Sequence, residues 1–240
     1  MTLQQHEQDK LWAHFQTHVR GVFDLSYPRL RYLAERCAPG TKVLNIGVGT
    51  GYLEELLVGR GVEVYALDPS VEAVERLREV LRIGDRAQQG HGQRMPFETG
   101  AFDKVIMTEV LEHLVDEVLH PTLDEVRRVL KPGGEFTGTV PYREDLVSNE
   151  VSCPHCEAQF HRWGHAQAFD VGSLTALLEA HGHRVTSLYP RTFPDFRRPG
   201  IRPFVKATFR YVLGRMGEPL VGPNLYFRST PVAGEIHVRQ

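Results

Sequence analysis

Cysteine is scarce in this chain, three among 240 residues. So few thiols cannot build a disulfide framework. A membrane-spanning helix needs about 18 or more consecutive apolar residues, and no run approaches that length. Met1–Lys10 lacks the apolar segment of a secretory signal, so the expected location is the cytoplasm. Neither sign of charge dominates: 28 basic against 30 acidic residues leave a net charge of −2, which argues against a nucleic-acid partner. Internal repeats and low-complexity tracts are absent as well. What is there, 41% hydrophobic and 24% charged, is the composition of an ordinary globular protein. One α/β sheet with helices on both faces can absorb the whole length.

Apolar residues at helical spacing mark 3–19 (Leu11, Phe15, Val19) and 28–37 (Leu30, Leu33, Ala34, Cys37), the latter stopped by Pro39-Gly40. From residue 41 strands and helices alternate. Strands are expected at 42–46, 62–67, 102–107 and 135–140, with helices at 52–60, 70–81 and 119–130. Ser70 is the expected N-cap of the second of these helices. Such alternation predicts a mostly parallel, Rossmann-like sheet wrapped by helices, with ligands at the carboxyl ends of its strands. After Val140 the rhythm breaks into a Cys/His-rich, loop-like stretch over 141–169. A helix at 171–180 and a strand at 183–189 follow, then an irregular excursion, a helix at 201–216 and final strands at 223–229 and 234–239.

The first strand runs through Asn45-Ile46 into Gly47-Val48-Gly49-Thr50-Gly51 and a helix. Three alternate glycines permit positive φ and close approach of a ligand to the backbone. Their spacing differs from the pyrophosphate fingerprint G-x-G-x-x-G. Seventeen residues beyond Gly51, Asp68 ends the next strand beside Pro69, where a carboxylate can accept both hydroxyls of a ribose. Together these residues describe a site for a nucleoside-bearing cofactor whose reactive part points toward Thr108 and Glu109.

At residues 40–145 the chain resembles the class I S-adenosylmethionine-dependent methyltransferases. The likeness rests on NIGVGTG (45–51), ALDPS (66–70), GHGQRMPF (90–97), AFDKVIMTEVLEHL (101–114) and EVRRVLKPGGEFTGTVP (125–141), in the family's order. The resemblance implies that Gly47, Val48, Gly49 and Gly51 cradle the methionine end and that Asp68 and Pro69 hold the ribose. It places His91, Gly92, Gln93 and Met95 around the adenine, with Thr108 and Glu109 beside the sulfonium. Asn45 stands where the family usually has Asp. The expected organisation is an N-terminal helical cap (1–40) on a methyltransferase domain (41–240) that carries the Cys/His insertion (141–170) and a basic excursion (190–222).

Glu109, Glu112 and His113 follow one another at i, i+3 and i+4, so a helical turn would put all three on one face. Three readings are open: support for the loop, a general base in His113, or a Mg or Mn ligand set. Similar E-x-x-E-H turns occur in ubiquinone-pathway O-methyltransferases and in enzymes that methylate the 2′-hydroxyl of small-RNA 3′ ends, where the resemblance implies metal binding. Such a set would include His165. Cys153, Cys156, His161 and His165 compete for that histidine, because two thiolates and two imidazoles at this spacing are the donors of a closed, structural zinc site.

Between Arg191 and Arg215 seven basic residues (Arg191, Arg197, Arg198, Arg202, Lys206, Arg210, Arg215) meet Asp195 alone, a local balance of +6. Ile201, Phe204, Val205, Thr208, Val212 and Met216 share one helical face beside three of these cations. That face is expected to pack on its own domain or on a second subunit of a homodimer, with peripheral contact to an anionic membrane as the alternative. The expected activity is methyl transfer to an oxygen, less favourably a nitrogen, of a small molecule or glycan. Its rivals are a metal-dependent RNA ribose 2′-O-methyltransferase and a non-catalytic, zinc-stabilised binding module on the same fold.

Overall fold

A computed structural model describes residues 7, 10, 26–196, 199–216, 218 and 221–232. The expected helix at 3–19, and with it most of the helical cap, lies outside these residues, as does the strand at 234–239. Helix α1 is Tyr27–Ala34. The parallel strands β1 (Lys42–Ile46), β2 (Glu63–Asp68), β3 (Ala87–Gln89), β4 (Phe102–Thr108) and β5 (Leu130–Pro141) are joined through α2 (Tyr52–Val58), α3 (Val71–Leu81) and α4 (Asp116–Val129). The Cys/His-rich segment 141–170 contains a short antiparallel hairpin, β6 (Glu150–Ser152) with β7 (Gln159–His161), where the sequence suggests only loop. Helix α5 (Val171–Ala180), β8 (His183–Arg191), α6 (Ile201–Arg215) and β9 (Asn224–Pro231) complete the chain.

Seven strands form one sheet in the order β3-β2-β1-β4-β5-β9-β8, parallel except where β9 runs antiparallel to both neighbours. The order reverses between β1 and β4, which pair directly. Period-2 alternation explains how each strand serves two cores. Leu44 and Ile46 face a cluster with Val105, Leu123 and Phe136, whereas Val43 faces Leu33, Leu57 and Val64 on the side of α1 and α2. A third cluster closes under α3, where Ala73, Val74 and Leu77 meet Val48 and Ala66. Ser70 caps α3 as expected, its hydroxyl accepting from the Ala73 amide at 3.2 Å.

Two elements depart from the sequence pattern. Helix α4 begins at Asp116 and carries Pro121 in its interior, three residues ahead of the expected start. The apolar positions Val118, Leu119, Leu123, Val126 and Val129 are all buried there, and this packing outweighs the backbone hydrogen bond that Pro121 forgoes. The apolar face of α6 is not packed on its own domain among the described residues: Ile201, Phe204, Val205, Val212 and Met216 are exposed, and only Ala207 and Gly214 of the helix are buried.

Gly138 lies at the tightest point of the β4–β5–β9 pairing. A Cβ there would stand 1.8 Å from the Met107 carbonyl oxygen and 2.9 Å from the Phe227 ring. Gly138→Ala must therefore spread the central strands, and the expected cost is about 3–5 kcal/mol of unfolding free energy. A denaturant midpoint equal to wild type would contradict this packing.

Candidate active site

The carboxyl ends of β1, β2 and β4 open on a cleft enclosing about 1130 Å³ of empty space, mouth included. It lies at the switch point of strand order, as such sheets dictate. Gly47, Val48, Gly49, Asp68, Pro69, His91, Gly92, Gln93, Thr108, Glu109 and His113 line it. Two of the expected cofactor residues do not. Gly51 caps α2 with φ +83°, and a Cβ on it would meet Leu77 at 2.8 Å, so its lack of a side chain lets α3 pack. Met95 is buried in the core, its amide donating to Glu125 Oε2 at 2.8 Å.

Asp68 is 3% exposed. Its Oδ2 accepts from the Val48 amide and its Oδ1 from the Ser70 amide, both at 2.8 Å, so the carboxylate is oriented by the glycine turn and by the start of α3. A carboxylate oxygen can accept more than one hydrogen bond, so these contacts do not bar hydroxyl donors from Asp68. Gln93 also lines the cleft, and its buried Oε1 has no hydrogen-bond partner. An acceptor carboxylate and an unmet amide oxygen in an apolar cleft suit a nucleoside with ribose hydroxyls and an exocyclic amine.

Behind the turn, Asn45 donates from Nδ2 to Glu54 Oε1 at 2.6 Å and to the Gly47 carbonyl at 3.1 Å. Glu54 is fully buried, and desolvation pushes its carboxyl up to about 7 despite the Asn45 hydrogen bond. Asn45 thus ties the glycine turn to a buried carboxyl in the first turn of α2.

Glu109 follows β4 with φ +56°, a left-handed conformation that costs a non-glycine residue free energy. It is held in place on several sides. Its amide donates to the Thr139 carbonyl at 2.8 Å, and its carboxylate accepts from Thr139 Oγ1 at 2.9 Å and from Asn224 Nδ2 at 3.0 Å. Arg29 of α1 adds an ion pair at 3.4 Å. Asn224 reaches it because β9 runs antiparallel, which brings the strand's first residue to the carboxyl edge of β5. Arg29 and Asn224 carry no motif that the sequence alone could flag.

Leu111–His113 is a 3-10 turn. His113 Nδ1 lies 3.3 Å from the Gly164 carbonyl, which can only accept, so the ring proton is on Nδ1 and Nε2 is the acceptor nitrogen. Burial, and then the neighbouring His165, hold the imidazole well below its ordinary pKa. Glu112 is 1% exposed and neither carboxyl oxygen has a hydrogen-bond partner. Burial and the nearby Glu109 charge raise its carboxyl well above the usual range.

The structure does not bring the four expected zinc donors together. Among the described residues, no cluster with ligand atoms within 4.8 Å of one another joins either cysteine to a histidine; the clusters formed are Glu112, His113, His165 and Glu144, His161, His165. Cys153 and Cys156 sit in the turn of the β6–β7 hairpin, where the amides of Cys156 and then His155 lower the Cys153 thiol's pKa. His161 Nδ1 accepts from the Trp163 and His165 amides, which leaves the ring proton on Nε2, 3.4 Å from Glu144 Oε1. Glu144, absent from the sequence expectation, also bonds His165 Nδ1.

A methyltransferase-domain family model matches residues 15–188. The chain belongs to this family, the class I S-adenosylmethionine-dependent methyltransferases. It is 28% identical over 197 residues to the C-methyltransferase NovU of Streptomyces niveus, covering 76% of this chain and 43% of that protein. It is 35% identical over 112 residues to the ubiquinone biosynthesis O-methyltransferase of Xanthomonas campestris pv. campestris, covering 44% and 46% respectively. The match thus spans less than half the length of either relative. Among solved structures, the 1,6-didemethyltoxoflavin-N1-methyltransferase of Burkholderia thailandensis, with S-adenosylhomocysteine bound, superposes with a TM-score of 0.64 at 17% identity, covering 97% of this chain and 92% of that one.

Two measurements follow from the site. Asp68→Ala should weaken S-adenosylmethionine binding by about 1.5–3 kcal/mol through loss of charge-assisted hydrogen bonds; unchanged affinity by calorimetry would remove Asp68 from the ribose site. Glu54 keeps its proton in the folded state while the unfolded carboxyl loses it, so its contribution to stability falls as pH rises from 4.5 to about 7. Glu54→Gln has no such titration. Between pH 4.5 and 7.5 the stability difference should move about 3 kcal/mol in the variant's favour; parallel curves would show that Glu54 is ionised in the fold.

Proposed function

We propose that this chain transfers the methyl group of S-adenosylmethionine to an oxygen, less readily a nitrogen, of a small molecule or glycan. The observation that carries the reading is the composition of one cleft: a nucleoside-type half at Gly47–Gly49, Asp68 and Gln93, continuous with a polar mouth at Thr108, Glu109 and His113. The cofactor, when bound, supplies an electrophilic methyl group on a sulfonium. Asp68 would hold its ribose, the Gly47–Gly49 backbone its amino-acid end and Gln93 its base. Glu109, fixed by Arg29, Thr139 and Asn224, would set a negative charge beside the cationic centre. His113, protonated on Nδ1 and lining the cleft, would take the proton of an acceptor hydroxyl on Nε2 as the new bond forms. Alignment of the reacting atoms by the cleft walls supplies most of the acceleration in such a transfer.

The names of the two curated relatives divide between oxygen and carbon transfer. The proton acceptor in the mouth favours oxygen here. The exposed apolar face of α6, beside Arg202, Lys206 and Arg210, supports docking of the 191–216 segment on a second copy of this chain or on an anionic membrane surface.

A second reading is favoured by Glu112, a buried carboxyl with both oxygens unmet beside two imidazoles. Glu112, His113 and His165 fit the donor set of a divalent ion, which would bring Lewis acidity to an acceptor hydroxyl. A ribose hydroxyl of RNA is the further acceptor this would admit, and the net charge of −2 argues against it.

Turnover with methyl-labelled S-adenosylmethionine against phenol, sugar and amine acceptors tests the proposal. His113→Asn should lower kcat about 10²–10⁴-fold while cofactor affinity stays within about threefold of wild type. Insensitivity to a chelator favours the base, and reversible loss with rescue by Mn or Mg favours the metal. A protein that binds no S-adenosylmethionine would be a non-catalytic module on this fold.

A further inference from the structure

Segment 141–170 meets the Leu111–His113 turn through one shared carboxylate. Glu144 Oε2 accepts from His165 Nδ1, and its Oε1 stands 3.4 Å from His161 Nε2. The two imidazoles stack with centroids 4.5 Å apart and planes at 20°, and His165 meets the His113 ring edge-on at the same separation. Glu144, His161 and His165 are all largely buried. Because a carboxylate accepts, the proton of His165 is on Nδ1 and its Nε2 carries the lone pair, as in His113. Two buried rings are thus held in the same tautomer by acceptors from this segment, the Gly164 carbonyl and the Glu144 carboxylate, next to a carboxyl that has no hydrogen bond of its own.

We infer that Glu144 is a positioning residue for a metal ion on Glu112, His113 and His165, fixing the orientation and tautomer of His165, while His161 Nε2 faces the other carboxylate oxygen at 3.4 Å. The inference rests on the metal reading of the proposed function and adds to it a residue from outside the Glu109–His113 turn. A histidine that ligates a metal commonly donates its second N–H to a carboxylate, and loss of that partner weakens metal binding about 10–100-fold. Here the partner comes from the segment that leads into the β6–β7 hairpin, so this segment and the metal site form as one unit. The cysteines of the hairpin turn take no part.

The test is titration of the chelator-stripped full chain with Co²⁺, read by its visible absorption bands. Wild type should bind one ion per chain, and Glu112→Ala should abolish that binding. Glu144→Ala should weaken it about 10–100-fold and shift the bands, because His165 becomes a poorer donor. Glu144→Gln, whose amide oxygen still accepts the Nδ1 proton, should recover most of the affinity. Asp145→Ala supplies the control, since Asp145 caps the neighbouring Val147–Ser148 amides without touching a histidine; it should bind Co²⁺ as wild type does. Wild-type affinity and bands in Glu144→Ala would overturn the inference while leaving the metal reading intact. An equal loss in Asp145→Ala would reduce Glu144 to loop support and overturn it as well. No Co²⁺ bound by wild type would overturn both. Should Glu144→Ala fail to fold by circular dichroism, a folded Glu144→Leu decides, and wild-type affinity and bands in that variant would overturn the inference.

Discussion

The arrangement of the site depends on how Glu109 is held at the end of β4. A left-handed backbone at a glutamate is unfavourable by itself, and it persists because four groups from distant parts of the chain converge on it. The Thr139 carbonyl and hydroxyl come from β5, Asn224 from β9 and Arg29 from α1. Their convergence joins the parallel half of the sheet, its antiparallel edge and the N-terminal helix at one carboxylate. With Glu109 turned this way, the chain leaving β4 folds back into the Leu111–His113 turn, and segment 141–170 docks on that turn through the Ala166 and Gln167 amides, both of which donate to the Glu112 carbonyl.

Much of this was legible in the sequence, and the reasons are local. The glycine turn, Asp68 and Ser70 are set by backbone requirements within a few residues, and strand alternation in β1, β2 and β4 placed them at one edge of a sheet. Arg29 and Asn224 were not legible, because each acts through a contact some 80 or 115 residues away and neither stands in a pattern. Gly51 and Met95 are expected at the cofactor through the family resemblance, and neither lines the cleft. Packing against Leu77 and burial in the central core account for both without a ligand.

The Cys/His-rich segment 141–170 shows where counting donors along a chain fails. Spacing put two thiols and two imidazoles within thirteen residues, which read as one zinc site. The β6–β7 hairpin separates them: its turn carries the cysteines outward, while His161 and His165 lie at its base against Glu144. Tautomers then decide which nitrogens are available. His161 Nδ1 is taken by two amides, whereas His113 and His165 are both protonated on Nδ1. Glu144 and Glu112, rather than the cysteines, supply the acidic partners of this histidine cluster.

The central claim is that one cleft binds the nucleoside of S-adenosylmethionine at Asp68 and presents its reactive centre to Glu109 and His113. A crystal structure of the chain with S-adenosylhomocysteine addresses it most directly. The account predicts the ribose hydroxyls on the Asp68 carboxylate, the base against Gln93 and the sulfur facing the Thr108–Glu109 turn. A ligand bound elsewhere, or bound in this cleft with its ribose away from Asp68, would contradict it.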